Sequence, residues 1–448
     1  MFAKVLVANR GEIALRIIRA CRELGVRTVA VYSEADAGSS AVQAADEAVC
    51  IGPAAPKQSY LNIPNIIGAA VKTGADAVHP GYGFLSEDPE FAEVCEEEGI
   101  TFVGPSPRLM ADLGDKSTAR RLMAEAGLPL LPGSLEPVES LEEARSLAER
   151  TGYPLVLKAV AGGGGRGITV VRGPEELADA LRATRAGAQA LFGNPDVYVE
   201  RYLESDRHIE VQVVADHHGN VVHLGERDCS VQRRNQKLVE ESPSPALTAE
   251  AREWVGTAAV RATAAVGYRG VGTLEFLLDS DGRMWFMEMN TRIQVEHPVT
   301  EMVASVDLVA EQLRVAAGYP LSIRQEDVRL HGHAIECRVN AEDPARDFAP
   351  TPGRVEEFVP PGGYGIRVDT HCVPGALVPP HYDSMIAKLI VWGGDRDEAI
   401  RRMRRALDEF RVEGPGLRTT IGFHRSLMEH EVFYAGEVTT DFLSRYRL

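Results

Sequence analysis

The sequence predicts a multidomain protein of mixed α/β and α+β class: a doubly wound parallel sheet first, a strand region with a glycine-rich flap next, and a strand-rich end. Three observations predict it. Short apolar runs alternate with amphipathic stretches over the first hundred residues, and repeated strand–helix units build a parallel sheet covered on both faces. Five glycines crowd Gly162–Gly167, between two apolar runs. Many Gly and Pro residues lie between Pro344 and Pro380, where turns would separate short strands.

Taken in order, Lys4–Ala8 reads as a buried strand, Glu12–Leu24 as a helix ended by Gly25, and Thr28–Tyr32 as the next strand. A helix follows over Ile63–Thr73, with strands near Ala77–Val78 and Ile100–Val103. The pattern resets around Gly114: Lys116–Gly127 is helical, and LPLLPG, with its two prolines, reads as a linker. Pro154–Ala159 and Ile168–Val171 are strands on either side of AGGGGRG. Helices at Glu175–Ala190 and Glu250–Val266 flank strands at Val197–Glu200, Ile209–Ala215 and Val221–Leu224. Ser280–Arg283 turns Thr273–Leu278 back onto Met284–Met289 as a hairpin. The strand-rich texture begins after Gly318-Tyr319-Pro320. A late helix, Asp395–Phe410, sets Ile400, Met403, Leu407 and Phe410 on one face and its arginines on a solvated one.

The 448 residues are 44% hydrophobic and 25% charged, ordinary usage that excludes disorder and collagen-like repeats. A formal charge of −17 makes nucleic acid and anionic membranes poor partners. Any anionic substrate must then be held by locally gathered cations. Six scattered cysteines without a CxxC pair read as reduced thiols, not a disulfide framework or a zinc site. The opening MFAKVLVANRGEIA is no signal peptide, and no run nears the ~18–20 apolar residues of a membrane span. The expectation is a soluble, cytoplasmic protein.

Gly162, Gly164 and Gly167 satisfy GxGxxG, yet Ile168–Val171 is β-branched and reads as a strand where the dinucleotide fingerprint needs a helix. No GK[ST] follows, so this is no Walker A loop. What remains is a flap whose N–H groups close over phosphates, with the Lys158 ammonium beside it.

The segment Met287–Glu301 carries the strongest signal. Glu288, Asn290, Arg292, Gln294 and Glu296 alternate with Met289, Ile293 and Val295, and an extended chain would put all five polar groups on one face. A solvated strand would alternate too. Glu275, embedded in the apolar TLEFLLD, favours a site, because buried acids are paired or hold a cation. The hairpin would set Glu275 opposite Glu288. Carboxylates with an Asn carbonyl suit hard Mg²⁺ or Mn²⁺ rather than zinc.

Further blocks point the same way: VLVANRGEIALRIIRAC (Val5–Cys21), HPGYGFLSE (His79–Glu87), GDKSTAR (Gly114–Arg120), RHIEVQV (Arg207–Val213), ERDCSVQRRNQK (Glu226–Lys237) and GHAIECRVNAEDP (Gly332–Pro344). With these the chain resembles the ATP-grasp ligases, and more closely the biotin carboxylases, over essentially its whole length.

The resemblance implies an N-terminal α/β domain over 1–114, an ATP-grasp domain over 115–330 with a mobile glycine-rich lid at about 131–203, and a C-terminal domain over 331–448. It implies that Lys116, Lys158, Gly164 and Gly165 meet ATP's phosphates, that Glu200, Arg201, Tyr202 and Leu203 form the adenine-side hinge, and that His208 and Gln232 reach the nucleotide. Glu275, Glu288 and Asn290 match the metal ligands. Lys237, Arg292, Gln294, Val295, Glu296 and Arg338 match the bicarbonate and biotin site. Asn235 departs from the pattern, since relatives often carry a nucleotide-contacting His there.

On this reading Glu296 is the base that activates bicarbonate, Arg292 holds bicarbonate and the carboxyphosphate made from it, and Arg338 faces the enolate oxygen of biotin. Read without the family, Arg338 is equally a strand salt bridge, with Glu336 or Glu342. Cys229, beside QRRNQK, has no thiolate role to fill. Lys388 in MIAKL is not an attachment lysine, and EAMKM is absent, so biotin would arrive on a separate carrier protein. The resemblance also implies carboxyltransferase subunits as partners, a homodimer, and the first half-reaction of acetyl-CoA carboxylase. The alternatives are the equivalent subunit of a propionyl-CoA or pyruvate carboxylase, another ATP-grasp ligase, or a catalytically silent nucleotide-binding subunit.

Overall fold

Five parallel strands form the N-terminal sheet, in the order Glu47–Gly52, Arg27–Ser33, Lys4–Val7, Ala77–His79, Thr101–Phe102. The computed structural model describes residues 1–160 and 167–446. Alternation within Lys4–Val7 explains the double winding: Val5 and Val7 pack with the Gly11–Glu23 helix, while Leu6 packs with Ile66 and Ile67 of the Ile63–Thr73 helix. The strand order reverses between Lys4–Val7 and Ala77–His79, and ligands of such sheets bind in the crevice beyond the strand ends at that point. Asn9 leaves the first of these strands and holds the turn after the second, donating from Nδ2 to the carbonyls of Pro80 and Tyr82, both at 2.7 Å. Gly81 is required in that turn: its φ is +64°, and a Cβ would lie 2.9 Å from the Asn9 amide.

The central and C-terminal parts share one antiparallel sheet of eight strands: Met284–Asn290, Gly270–Leu278, Arg207–Ala215, Val221–Arg233, Gln236–Ser242, His333–Asn340, Met385–Gly393 and Ile366–Thr370. It runs unbroken past residue 330, because Gln236–Ser242 pairs with His333–Asn340. A smaller antiparallel sheet, Ile168–Val171, Leu155–Ala159 and Val197–Arg201, has its own core with the helices Leu141–Thr151 and Pro174–Phe192. The LPLLPG run is tied to both sheets rather than hanging free: Phe286 donates to the Pro129 carbonyl at 2.8 Å and Arg201 to that of Pro132 at 2.8 Å.

Two expectations need correction. The strand expected at Val221–Leu224 continues to Arg233, its polar residues being buried between neighbouring strands. The segment Met287–Glu301 is not one extended face. Its strand ends at Asn290, an irregular turn follows, and the helix His297–Ala304 begins with Pro298 in its first turn, where proline's fixed φ and missing N–H suit a helix start. Among the described residues no helix is long and apolar enough to cross a membrane.

Candidate active site

A cavity of about 1450 Å³ opens where the parallel-sheet crevice and the two antiparallel sheets meet. Every expected site residue that the structure describes lines it, from Lys116 and Lys158 to Glu296 and Arg338. Residues 161–166 of AGGGGRG, with Gly164 and Gly165, lie outside the described residues.

At one end sit the lysines. Lys158 Nζ lies 2.6 Å from Glu200 Oε2, and Arg120 binds the other oxygen of the same carboxylate. Burial would raise the Glu200 carboxyl, but Lys158 and Arg120 overcome it and hold it below the usual range. Glu200 is thus a clamp on Lys158. Burial pulls the Lys116 ammonium below its ordinary value, against the pull of Glu288. Val156, paired across strands with Glu200, and Leu203 add an apolar wall. Arg201 lines the cavity too, with its Nη1 donating to the Thr151 carbonyl at 3.3 Å.

At the other end, strand register sets Glu288, Glu275, Glu210 and Arg227 in one row across four strands. Like charges directly opposite one another repel, so three adjoining acids need counter-charge. Arg227, fully buried, closes the row: it binds Glu210 and donates to Gln212 at 2.7 Å and to Thr300 at 2.9 Å. Lys237 lies over it, its Nζ 2.6 Å from Glu210, 2.9 Å from Glu275 and 2.7 Å from Glu296. His208 Nε2 stands 3.1 Å from Glu275. Burial would lower that imidazole, yet Glu275 raises it to about 9. Burial likewise works against ionised Glu275, but Lys237 and His208 hold its carboxyl far below the ordinary range.

Glu288 is different. It is exposed to the cavity, and the loss of bulk water, then the Glu275 charge, raises its carboxyl. A cation supplied from the cavity would relieve that pair. Asn290 presents an amide beside them, donating to Glu275 at 2.9 Å and accepting from Arg292 at 3.1 Å. Two carboxylates and an amide oxygen fit a hard divalent ion. Among the described residues, His208, Glu210 and Glu275 and also Glu210, Cys229 and Glu296 lie near enough to share an ion, but Lys237 and Arg227 already neutralise Glu210.

The turn after Asn290 carries Arg292, Gln294, Val295 and Glu296 to the cavity wall. Arg292 is aimed by Glu87, at 2.9 Å, and by Gln294, at 3.0 Å. The Val295 carbonyl accepts from Lys388 Nζ at 2.9 Å. Glu296 is fully buried, with Lys237 on Oε1 and Arg338 Nη2 on Oε2 at 3.0 Å. Burial and Glu210 push its carboxyl up; Lys237, Arg338 and Arg227 prevail and keep it ionised. Arg338 also binds Glu240, with Nε at 2.7 Å, so its bonded partners are Glu240 and Glu296 rather than Glu336 or Glu342.

Sequence reasoning missed Glu87, Arg120, Glu210, Arg227 and Glu240. The signal that found Glu275, a charge embedded in an apolar strand, also marks Glu210 in HIEVQVV and Glu240 in LVEES. Asn235 lies with Arg234 at a two-residue hairpin tip, with φ of +63° and +49°, a conformation asparagine tolerates. It lines the cavity, as does Gln232. Lys388 is fully buried, 3.0 Å from Glu12, and so cannot take a biotin. Burial raises the Cys229 thiol well above its ordinary value, which leaves it inert.

Family models described as biotin carboxylase N-terminal domain, carbamoyl-phosphate synthase L chain ATP-binding domain and biotin carboxylase C-terminal domain match residues 1–110, 115–324 and 336–445. Biotin carboxylase 1 of Bacillus subtilis is 59% identical over 100% of this chain and 99% of its own. The chain belongs to the biotin carboxylase family. A pyruvate carboxylase subunit of Methanothermobacter thermautotrophicus is 54% identical over 100% of this biotin carboxylase chain and 90% of its own. The structure of a Campylobacter jejuni biotin carboxylase–β-γ-ATP complex matches with a TM-score of 0.96 at 47% identity, covering 100% and 99% of the two chains. The biotin carboxylase domain dimer of Hydrogenobacter thermophilus 2-oxoglutarate carboxylase, with MgADP, ADP and bicarbonate, matches with 0.94 at 50% identity, covering 99% and 98%.

Proposed function

We propose that this chain uses ATP and bicarbonate to carboxylate the biotin of a separate carrier protein, working as a homodimer in the cytoplasm beside carboxyltransferase subunits. The observation that carries the reading is Glu296, gripped between Lys237 and Arg338 in a cavity whose far end holds Lys116 and Lys158. Glu296, ionised at neutral pH, accepts the bicarbonate proton as the bicarbonate oxygen attacks the γ-phosphate of ATP. Arg292 holds the anion for that attack and then the carboxyphosphate, while Lys116 and Lys158 steady the triphosphate. Glu275, Glu288 and Asn290 would hold Mg²⁺ or Mn²⁺, which neutralises phosphate charge when bound. Carboxyphosphate breaks down to CO₂ and phosphate, the phosphate takes the ureido proton of biotin, and Arg338 faces the resulting enolate oxygen.

The breaks between the matched ranges support domains at 1–114, 115–330 and 331–448. We take the assembly served to be acetyl-CoA carboxylase. The similarity to the Methanothermobacter pyruvate carboxylase chain favours a pyruvate carboxylase assembly as a second reading.

The test is ATP turnover with bicarbonate and Mg²⁺, with and without free biotin. Turnover should need the metal and rise strongly with biotin. Equal rates with and without biotin would favour another ligase activity. Transfer of labelled bicarbonate to the biotinylated carrier of each candidate assembly distinguishes the partners.

A further inference from the structure

Beneath Arg338 lies a second pair of acids that the chemistry above leaves unused. Glu240 and Glu336 stand directly opposite each other on the paired strands Gln236–Ser242 and His333–Asn340. Both are buried, at 1% and 0% exposure. Among the described residues, neither Glu336 oxygen has a hydrogen-bond partner, nor has Glu240 Oε2. Glu240 Oε1 is fully committed: Arg338 Nε lies 2.7 Å away and Nη2 2.5 Å. The helix His297–Ala304 covers this part of the sheet, with Val299 and Val303 packed on Ala334 and Ile390.

We propose that Glu240 is a positioning residue for the biotin half of the reaction, fixing the Arg338 guanidinium, and that Glu336 opposite it carries the proton that leaves the pair a single negative charge. Glu240 and Glu296 together occupy Nε and Nη2, so the guanidinium plane is set, and Nη1, which bonds no described residue, is left for an incoming oxygen. Two opposed buried carboxylates repel each other, and burial favours a proton on one of them. The groups facing them decide which one does. Glu240 meets Arg338, Lys237, Glu296 and the thiols of Cys229 and Cys337; Glu336 meets Lys388, Arg338, Glu240, Glu296 and the Cys337 thiol. Among the described residues, only Glu240 of the two has a cation bonded to it. Burial and then its neighbours' charges leave Glu240 raised to about 7, whereas Glu336 is raised well above its ordinary value.

The inference rests on Arg338 serving biotin, and the test separates the two. Kinetics with free biotin should show Glu240→Gln lowering kcat/KM for biotin at least ~10-fold with KM for ATP within ~2-fold, while Glu336→Gln, a neutral isostere, stays within ~2-fold throughout. In the unsubstituted protein kcat/KM for biotin should rise with pH through about 7 as Glu240 ionises, and Glu240→Gln should lose that limb. An unchanged kcat/KM with the limb intact in Glu240→Gln overturns the positioning role. A ~10-fold loss in Glu336→Gln overturns the neutral-acid assignment. If Arg338→Gln itself leaves biotin stimulation unchanged, the biotin role of Arg338 fails instead. Should Glu240→Gln not fold, absence of a limb between pH ~6 and ~8 in the unsubstituted protein is sufficient to overturn the proposal.

Discussion

Lys237 Nζ reaches Glu296 at 2.7 Å and Glu275 at 2.9 Å, so one ammonium joins the base to the carboxylate expected to hold metal. Glu275 and Glu296 are thus coupled by charge through one ammonium. On the proposed reading, a cation arriving at Glu275 would compete with Lys237 for that carboxylate.

Replacing the base should separate binding from chemistry. Glu296→Ala is expected to lower bicarbonate-dependent phosphate release by ~10²-fold or more, the usual worth of a general base. Its affinity for ATP with Mg²⁺, read by titration calorimetry, should stay within ~3-fold. Near-normal turnover would remove Glu296 from the base role.

Metal binding can be read without turnover. Glu288 faces the cavity without a cation bonded to it among the described residues. Glu288→Gln should therefore weaken Mn²⁺ binding in the presence of nucleotide by ~10-fold or more, followed by electron paramagnetic resonance. Unchanged Mn²⁺ affinity would place the metal elsewhere.

Arg227 is a stability element. It is fully buried and shares Glu210 with Lys237 and, at 3.7 Å, with His208. Arg227→Met strands much of a buried carboxylate charge, and breaking such a pair costs about 3–5 kcal/mol. A urea midpoint like that of the unsubstituted protein would show that Lys237 and His208 suffice.

Acid stability should depend on Glu241. Arg396 Nε at 2.6 Å and His333 Nε2 at 2.7 Å bind it. Burial opposes its ionisation, yet Arg396 and His333 hold its carboxyl down to about 2, from 4.5. A depressed folded value contributes stability that is full above about 4.5 and lost as pH falls toward about 2. Glu241→Gln should flatten that limb of the urea-midpoint profile, a loss of about 3 kcal/mol at neutral pH. A variant whose midpoint falls as steeply with acid as the parent's would show that other carboxylates set it.

The sequence by itself determined the local elements and the chemistry-bearing residue types. Apolar periodicity marked Ile63–Thr73 and Ile168–Val171 to the residue, because burial of one face repeats with the period of the element. An acid inside TLEFLLD could be recognised because charge in an apolar run is costly without a purpose.

Only the tertiary structure decided what those residues do to one another. The alternation in Met287–Glu301 suggested one flat polar face, but the chain turns at Asn290 and starts a helix at His297, so Glu288 stays on its strand while Glu296 stands at the helix start. The row Glu288–Glu275–Glu210–Arg227 comes from four strands, and Lys237 from a fifth. Sequence spacing does not encode that meeting, since register between strands distant in the chain is fixed by packing of the whole sheet. The charge state of each group then follows from those neighbours, which is why Glu296 is held ionised and Glu336 is not.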